Sequence, residues 1–248
     1  MTFDHNIYIY IYLLNESVPL PAAYLTWNEE DEIGTLNYGK QYLKRNNAIA
    51  LDPINLPLTE KPLICKINEG IPGAVRDAMP DYWGQLMIAS TIGRPFDEIT
   101  PIEYLLHTCD DRIGALEFRP ELSSPKLDEK YNKLINLEEL IHQLEQLSKG
   151  KIVPDWFQDY IKRGSSAGGA KPKLTVEYQD ALYIAKFNLK SQKYTEFNSA
   201  TRVEFATMKL AEYAGINTAE VKLIEQNDHE VLLIKRFDRI KVNDYYQH

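Results

Sequence analysis

The chain has little of several things, and each shortage narrows what it can do. Cysteine occurs only 2 times in 248 residues. Cys65 and Cys109 are too few for a disulfide framework and show no CxxC or Cys/His metal spacing. They read as two buried thiols in a reducing compartment. No hydrophobic run is long enough to cross a bilayer. The stretch from Ile7 to Leu14 is short, follows an acidic residue and alternates aliphatic with aromatic side chains, which marks a strand and not a signal peptide. The expected location is the cytoplasm, without membrane association. Positive charge is also in deficit: 28 Lys and Arg against 36 Asp and Glu leave a net charge of −8. Phosphate contacts need a basic footprint, so unaided binding to DNA is not expected. Internal repeats and low-complexity tracts are absent.

What is present is a globular composition, 44% hydrophobic, in a chain long enough for one large or two ordinary domains. Strand patterns at residues 7–14, 22–27 and 34–38, separated by turn residues, predict a small antiparallel sheet. Pro53, Pro57 and Pro62 interrupt regular structure over residues 52–62. Helical periodicity returns at residues 81–88 after Pro80. Thr100 followed by Pro101 is a cap-and-first-turn signature for a helix to Thr108. Residues 123–136 turn polar, and the domain boundary is placed there. A helix over 137–148 follows, capped by Asn136, ended by Gly150, with Leu140, Ile141, Leu144 and Leu147 on one face.

The most informative segment is Gly-Ser-Ser-Ala-Gly-Gly-Ala-Lys-Pro-Lys, Gly164 to Lys173. So small a run lets backbone N–H groups approach a phosphate closely. A strand over 173–177 and a turn at Gln179-Asp180 lead into a second strand, 181–187. There Leu182, Ile184 and Lys186 share a face, and a lysine beside two aliphatics needs an anionic partner or an exit to water. A helix over 201–214 follows, capped by Ser199 or Asn198 and ended by Gly215. Val203, Ala206, Leu210 and Ala214 form its expected core stripe, with Glu204 beside it. Strands at 219–224 and 230–234 precede Lys235-Arg236-Phe237. Taken alone, the loop is equally a surface loop followed by a snorkelling lysine. It is not a P-loop: Ala170-Lys171-Pro172 stands where Lys-Ser/Thr is required, and a strand follows instead of a helix. Glycine loop, strand lysine, helix glutamate, two strands and a linker is the order of a protein-kinase N-lobe.

Four motifs carry a more specific resemblance: residues 165–173, Ile234 to Arg239 (Ile-Lys-Arg-Phe-Asp-Arg), Asp110 to Phe118 and Met79 to Gly84 (Met-Pro-Asp-Tyr-Trp-Gly). In their order along the chain, and over nearly all of it, they resemble HipA-type serine/threonine kinase toxins of bacterial toxin–antitoxin systems. The resemblance implies an α+β protein, with an N-terminal antiparallel sheet and helices followed by a kinase-like N-lobe. Residues 1–122 would be the N-terminal domain, 123–150 a polar linker with a helix, and 151–248 the N-lobe part of the kinase domain. It further implies that Gly168, Gly169, Ala170, Lys171, Pro172 and Lys173 line the phosphates of ATP. Lys186 would be the strand lysine that Glu204 positions, and Lys235, Arg236 and Phe237 the hinge beside the adenine. Ser166 aligns with the loop serine that such kinases phosphorylate on themselves, with Ser165 next to it as the alternative.

The same resemblance places the catalytic aspartate and the ligands of Mg2+ well after the hinge, beyond His248. The 248 residues alone are therefore expected to be inactive, as part of an ATP-dependent protein kinase or as a non-catalytic module that binds an antitoxin or a separately encoded remainder. The implied partner is a small helix-turn-helix antitoxin, HipB-like, which holds operator DNA; the chain itself would reach DNA only through it.

Overall fold

In the computed structural model the described residues are 4–14, 16, 18–108, 112–125, 131–134, 136–151, 153–161, 171–189, 199–227, 229–242 and 245–247. β1 (Asp4–Ile11), β2 (Leu20–Asn28) and β3 (Ile33–Tyr38) form at the alternating runs, although β1 stops at Ile11 and not at Leu14. β4 (Leu63–Cys65) and β5 (Leu116–Arg119) are too short to register as sequence patterns. They complete an antiparallel sheet of order β4-β3-β2-β1-β5. Ile7, Ile9 and Ile11 are buried in its core with Leu25, Leu36 and Phe118. Tyr8, on the other face of β1, meets Tyr24 at 4.8 Å, the cross-strand pairing that stabilises such sheets. Cys65 is only half-buried, contrary to expectation, because it ends the edge strand β4. Cys109 lies outside the described residues.

One close approach fixes the corner after β4. A Cβ on Gly34 would stand 1.9 Å from the Gly70 carbonyl oxygen, and Gly70 has φ +77°, so both positions need glycine. Trp27 Nε1 donates to the Glu69 carbonyl at 2.7 Å and pins the same corner.

The helices of this half are α1 (Lys40–Leu43), α2 (Gly73–Arg76), α3 (Tyr82–Ile92) and α4 (Pro101–His107). The α3 helix begins on Asp81, whose side chain accepts from Gly84 N, and ends at Gly93 in the left-handed region. In α4, Thr100 and Glu103 form a reciprocal capping box with Pro101 in the first turn.

The second half is built on a sheet of order β6-β7-β8-β10-β9, from β6 (Asn132–Lys133), β7 (Lys173–Tyr178), β8 (Ala181–Phe187), β9 (Val221–Gln226) and β10 (His229–Lys235). Its ladders are antiparallel except the two-residue pairing of β6 with β7, so the described residues form no doubly wound parallel sheet. Gln179 and Asp180 both have positive φ, 48° and 60°, the tight hairpin turn whose twist matches the strands it joins. The polar stretch after residue 123 supplies β6 and leads into α5 (Leu137–Ser148), then α6 (Asp155–Ile161). Asn136 caps α5 through Glu138 N, at 3.0 Å.

Alternation divides the second sheet into two faces. Leu174, Val176, Tyr183, Ala185, Phe187, Val231 and Leu233 turn to the back, where they meet the apolar stripe of α5, Phe157 and Ile161 of α6, and Trp83 and Met87 of α3. The α3 helix thus joins the core of the second sheet to the first half of the chain. α7 (Ala200–Tyr213) carries Glu204 onto the other face, and β11 (Ile240–Val242) with β12 (Tyr245–Gln247) forms an antiparallel pair after residues 235–239. Among the described residues no helix is long and apolar enough to cross a membrane.

Candidate nucleotide-binding site

The front face of the second sheet carries two lysines side by side. Lys173 on β7 stands directly opposite Lys186 on β8, and strand alternation places both on the face away from α5. Lys186 Nζ meets Glu204 Oε1 of α7 at 2.5 Å. Both side chains keep about a quarter to a third of their surface exposed, 27% and 33%, so water screens the pair and its value is one of orientation more than stability. Lys186 thus meets an anion, carried on the sheet-facing edge of α7.

The rest of α7 differs from expectation. Val203 and Leu210 are 52% and 69% exposed, and Ala206 and Ala214 are exposed as well. The residues turned inward are Thr201, which is buried, with Glu204, Phe205 and Met208 partly so. The cause lies at the start of the helix. Ser199 caps it by accepting from Arg202 N. The buried Glu230 of β10 accepts from Thr201 Oγ1 at 2.8 Å, Arg202 Nε at 2.6 Å and Asn188 Nδ2 at 3.2 Å. These bonds, with Glu204 on Lys186, set the rotation of α7 against the weak apolar stripe.

Lys173 is 2% exposed. Its Nζ donates to the Lys171 carbonyl at 3.0 Å and lies 3.7 Å from Asp81 Oδ2. Burial pushes its pKa below the usual lysine value, Asp81 opposes that shift, and Lys186 adds to it. Pro172 is buried, its carbonyl accepting from Phe187 N at 3.3 Å, whereas Lys171 is exposed. Gly168, Gly169, Ala170, Ser165 and Ser166 lie outside the described residues.

The segment Lys235 to Phe237 begins at the other end of these strands. Lys235 is opposite Tyr183 whereas Lys186 is opposite Leu232, a separation of about 10 Å along the strand at roughly 3.3 Å per residue. That length suits an extended ligand with its anionic end at the lysines. Arg236 N donates to the Leu182 carbonyl at 2.8 Å, Lys235 Nζ lies 3.4 Å from Glu220, and Phe237 is 87% exposed. A cavity of about 500 Å³ adjoins the segment, with Ala181, Thr218, Lys235, Phe237, Ile240 and Tyr246 in its wall.

The Arg236 guanidinium does not face that cavity freely: it is held in a buried cluster. Asp238 accepts from Arg236 at 2.6 and 2.9 Å and from Arg239 at 3.0 Å. Both arginines donate to the Arg112 carbonyl, at 3.4 and 2.6 Å. Burial alone would raise the Asp238 carboxyl, but the hydrogen bonds and charge of Arg236 and the charge of Arg239 hold it below the ordinary range. Two segments far apart in the chain are thereby joined. Residues Asp81, Arg112, Glu230 and Asp238 were missed as site-supporting residues by sequence reasoning, although three of them lie within the motifs it singled out.

Comparison with known proteins bears on the same segments. The HipA N-terminal domain model matches residues 18–119 and the HipA-like C-terminal domain model residues 165–248. The chain belongs to the HipA family. One HipA relative, the serine/threonine-protein kinase toxin HipA of Shewanella oneidensis, is 29% identical over 136 residues, 52% of this chain and 29% of the relative. A solved HipA, in a complex with HipB and its operator DNA from Shewanella oneidensis MR-1, superposes with a TM-score of 0.59 at 20% identity. That match covers 98% of this chain and 54% of the other, so the chain spans about half the length of the HipA it resembles in fold. Two described HipA segments, the one with Asp81 and Trp83 and the one with Arg112, both touch the second half of the chain.

Proposed function

We propose that this chain is the ATP-binding portion of a HipA-like serine/threonine protein kinase toxin in a toxin–antitoxin module of the cytoplasm. The observation that supports it best is the Lys186–Glu204 pair beside Lys173 on one sheet face, with the glycine-rich segment immediately before that strand in sequence. In this reading the second half is a kinase N-lobe. Lys186 and Lys173 bind the phosphates, Glu204 orients Lys186, and residues Lys235 to Phe237 meet the adenine, Arg236 through its backbone because its guanidinium is engaged elsewhere. Lysines on a preorganised strand face fit a polyphosphate, since they stabilise transferring charge without reorganising. Mg2+ would enter with the nucleotide and neutralise phosphate charge. Among the described residues no group of three or more His, Cys, Asp or Glu is placed to hold a metal ion, and the family places those ligands after the hinge.

Calorimetric titration of the purified chain with MgATP tests this. Binding that Lys186→Ala weakens at least tenfold supports the nucleotide site; no binding by the unmodified chain removes it. Radiolabel transfer from ATP by the 248 residues is expected to be absent, and measurable turnover would show that catalytic residues lie within them. Phosphorylation of Ser166 would add about −1.5 to −2 charges beside the nucleotide phosphates and expel the loop. The phosphorylated form should lose ATP affinity and Ser166→Ala should escape that loss, with phosphopeptide mapping to distinguish Ser165.

The expected partner is a HipB-like helix-turn-helix antitoxin. The similar solved structure contains HipA, HipB and operator DNA, and a net charge of −8 complements a basic partner. A gel shift with operator DNA should be negative for this chain alone and positive only with the antitoxin.

A further inference from the structure

Two side chains of the Met79–Gly84 motif, in the first half of the chain, converge on one residue of β7. Trp83 Nε1 donates to the Lys173 carbonyl at 3.1 Å, and Asp81 Oδ2 lies 3.7 Å from Lys173 Nζ. The β6 strand reaches only Val176 and Glu177, so the Lys173 end of this edge is open to the indole. Asp81 Oδ1 caps α3, while its buried Oδ2 accepts no hydrogen bond among the described residues. A second cation, Lys186, faces Lys173 across the ladder. Two ammonium groups on one partly dry face are stable together only if each has a counter-charge. Glu204 of α7 supplies one for Lys186, and Asp81 of α3 supplies the other.

We propose that Asp81 is a positioning residue of the phosphate site: through it, the first half of the chain holds the Lys173 ammonium charged and oriented on the face it shares with Lys186. The inference rests on the nucleotide reading for what Lys173 does, and on the geometry alone for what Asp81 does to Lys173. It makes α3 part of the nucleotide site without touching the nucleotide. Phosphate affinity then depends on how the first half sits on β7.

The test is a side-chain titration by nuclear magnetic resonance on the full 248-residue chain, with labelled lysines and Lys173→Arg to assign the Lys173 signal. Asp81→Asn removes the charge and keeps the cap, because Asn caps helices as well as Asp does. The Lys173 midpoint should fall by about one pH unit or more in Asp81→Asn, with the thermal midpoint nearly unchanged, and Asp81→Glu should move it back. Asp81→Ser, a second neutral cap, replaces Asp81→Asn if that variant does not fold. An unmoved Lys173 midpoint in a folded neutral variant overturns the proposal. Adding MgATP to the unmodified chain should shift both lysine signals. A response at Lys186 alone also overturns the proposal, since Lys173 would then lie outside the phosphate site. A response at neither lysine, with the Asp81→Asn shift intact, removes the nucleotide reading and leaves the Asp81–Lys173 relation established.

Discussion

The two faces of the second sheet are made by the same strands and held by different physics. The back face is apolar and closed, with Leu140, Leu144 and Phe157 fully buried against it. The front face carries Lys173, Lys186 and the carboxylates that answer them beside the buried Leu182 and Leu232, and α7 lies on it through hydrogen bonds and ion pairs while its own apolar stripe stays largely exposed. Each buried aliphatic on the back contributes roughly 1.5–3 kcal/mol, whereas a partly exposed ion pair such as Lys186–Glu204 contributes about 0–1 kcal/mol. Stability therefore resides on one side of the sheet and adjustability on the other. On the proposed nucleotide reading, that division lets the Lys186–Glu204 pair adjust without unmaking the core.

The comparison breaks if the two faces respond alike to substitution. Leu140→Ala on the back should cost about 2–5 kcal/mol in urea unfolding, the largest effect expected. A loss below about 1 kcal/mol would show that the back face is not the stabilising core. Glu230→Ala should cost about 1–3 kcal/mol, since it strips the acceptor from Thr201, Arg202 and Asn188. The loss should be local: hydrogen exchange should accelerate in α7 far more than in α5.

Acid sharpens the comparison at the seam between the halves. Asp238 binds its proton less tightly folded than unfolded, because Arg236 and Arg239 favour the carboxylate over the burial that opposes it. Its stabilisation is complete above the ordinary carboxylate value of 3.8 and is lost as pH falls through the lower folded value. The stability difference between the unmodified chain and Asp238→Asn, measured by urea unfolding, should be constant near neutrality and shrink in that acid window. The smallest effect belongs to the exposed stripe of α7, where Leu210→Ala should change stability by less than about 0.5 kcal/mol. A loss of 2 kcal/mol or more there, the range of a buried leucine, would mean that the stripe is covered.

The legible parts of this protein were those with local causes. Caps at Thr100, Asn136 and Ser199, the turn at Gln179-Asp180 and the glycines at 150 and 215 act within a few residues of their own backbone. The helix and strand limits follow them closely. The pairing of Lys186 with Glu204 was within reach because the order of strand, lysine, helix and glutamate places one chemical need beside one answer. The stripe of α7 misled for a related reason: Val203, Ala206 and Leu210 have the right period, but Thr201 with Glu230 and Glu204 with Lys186 determine which side turns inward. Short strands such as β4, β5 and β6 left too few residues for a pattern.

Residue order alone determined where most elements start and stop, which strand faces are apolar, and that a lysine on the β8 front face requires an anion. Those follow from backbone conformation, side-chain periodicity and the cost of burying charge. Tertiary structure decided which anion each lysine meets. Asp81 reaches Lys173 from 92 positions earlier, and Arg236 and Arg239 close on the carbonyl of Arg112. Contacts of that sequence separation have no period and no local signature. They exist only once burial of Trp83 and Met87 against the second sheet has brought the two halves together.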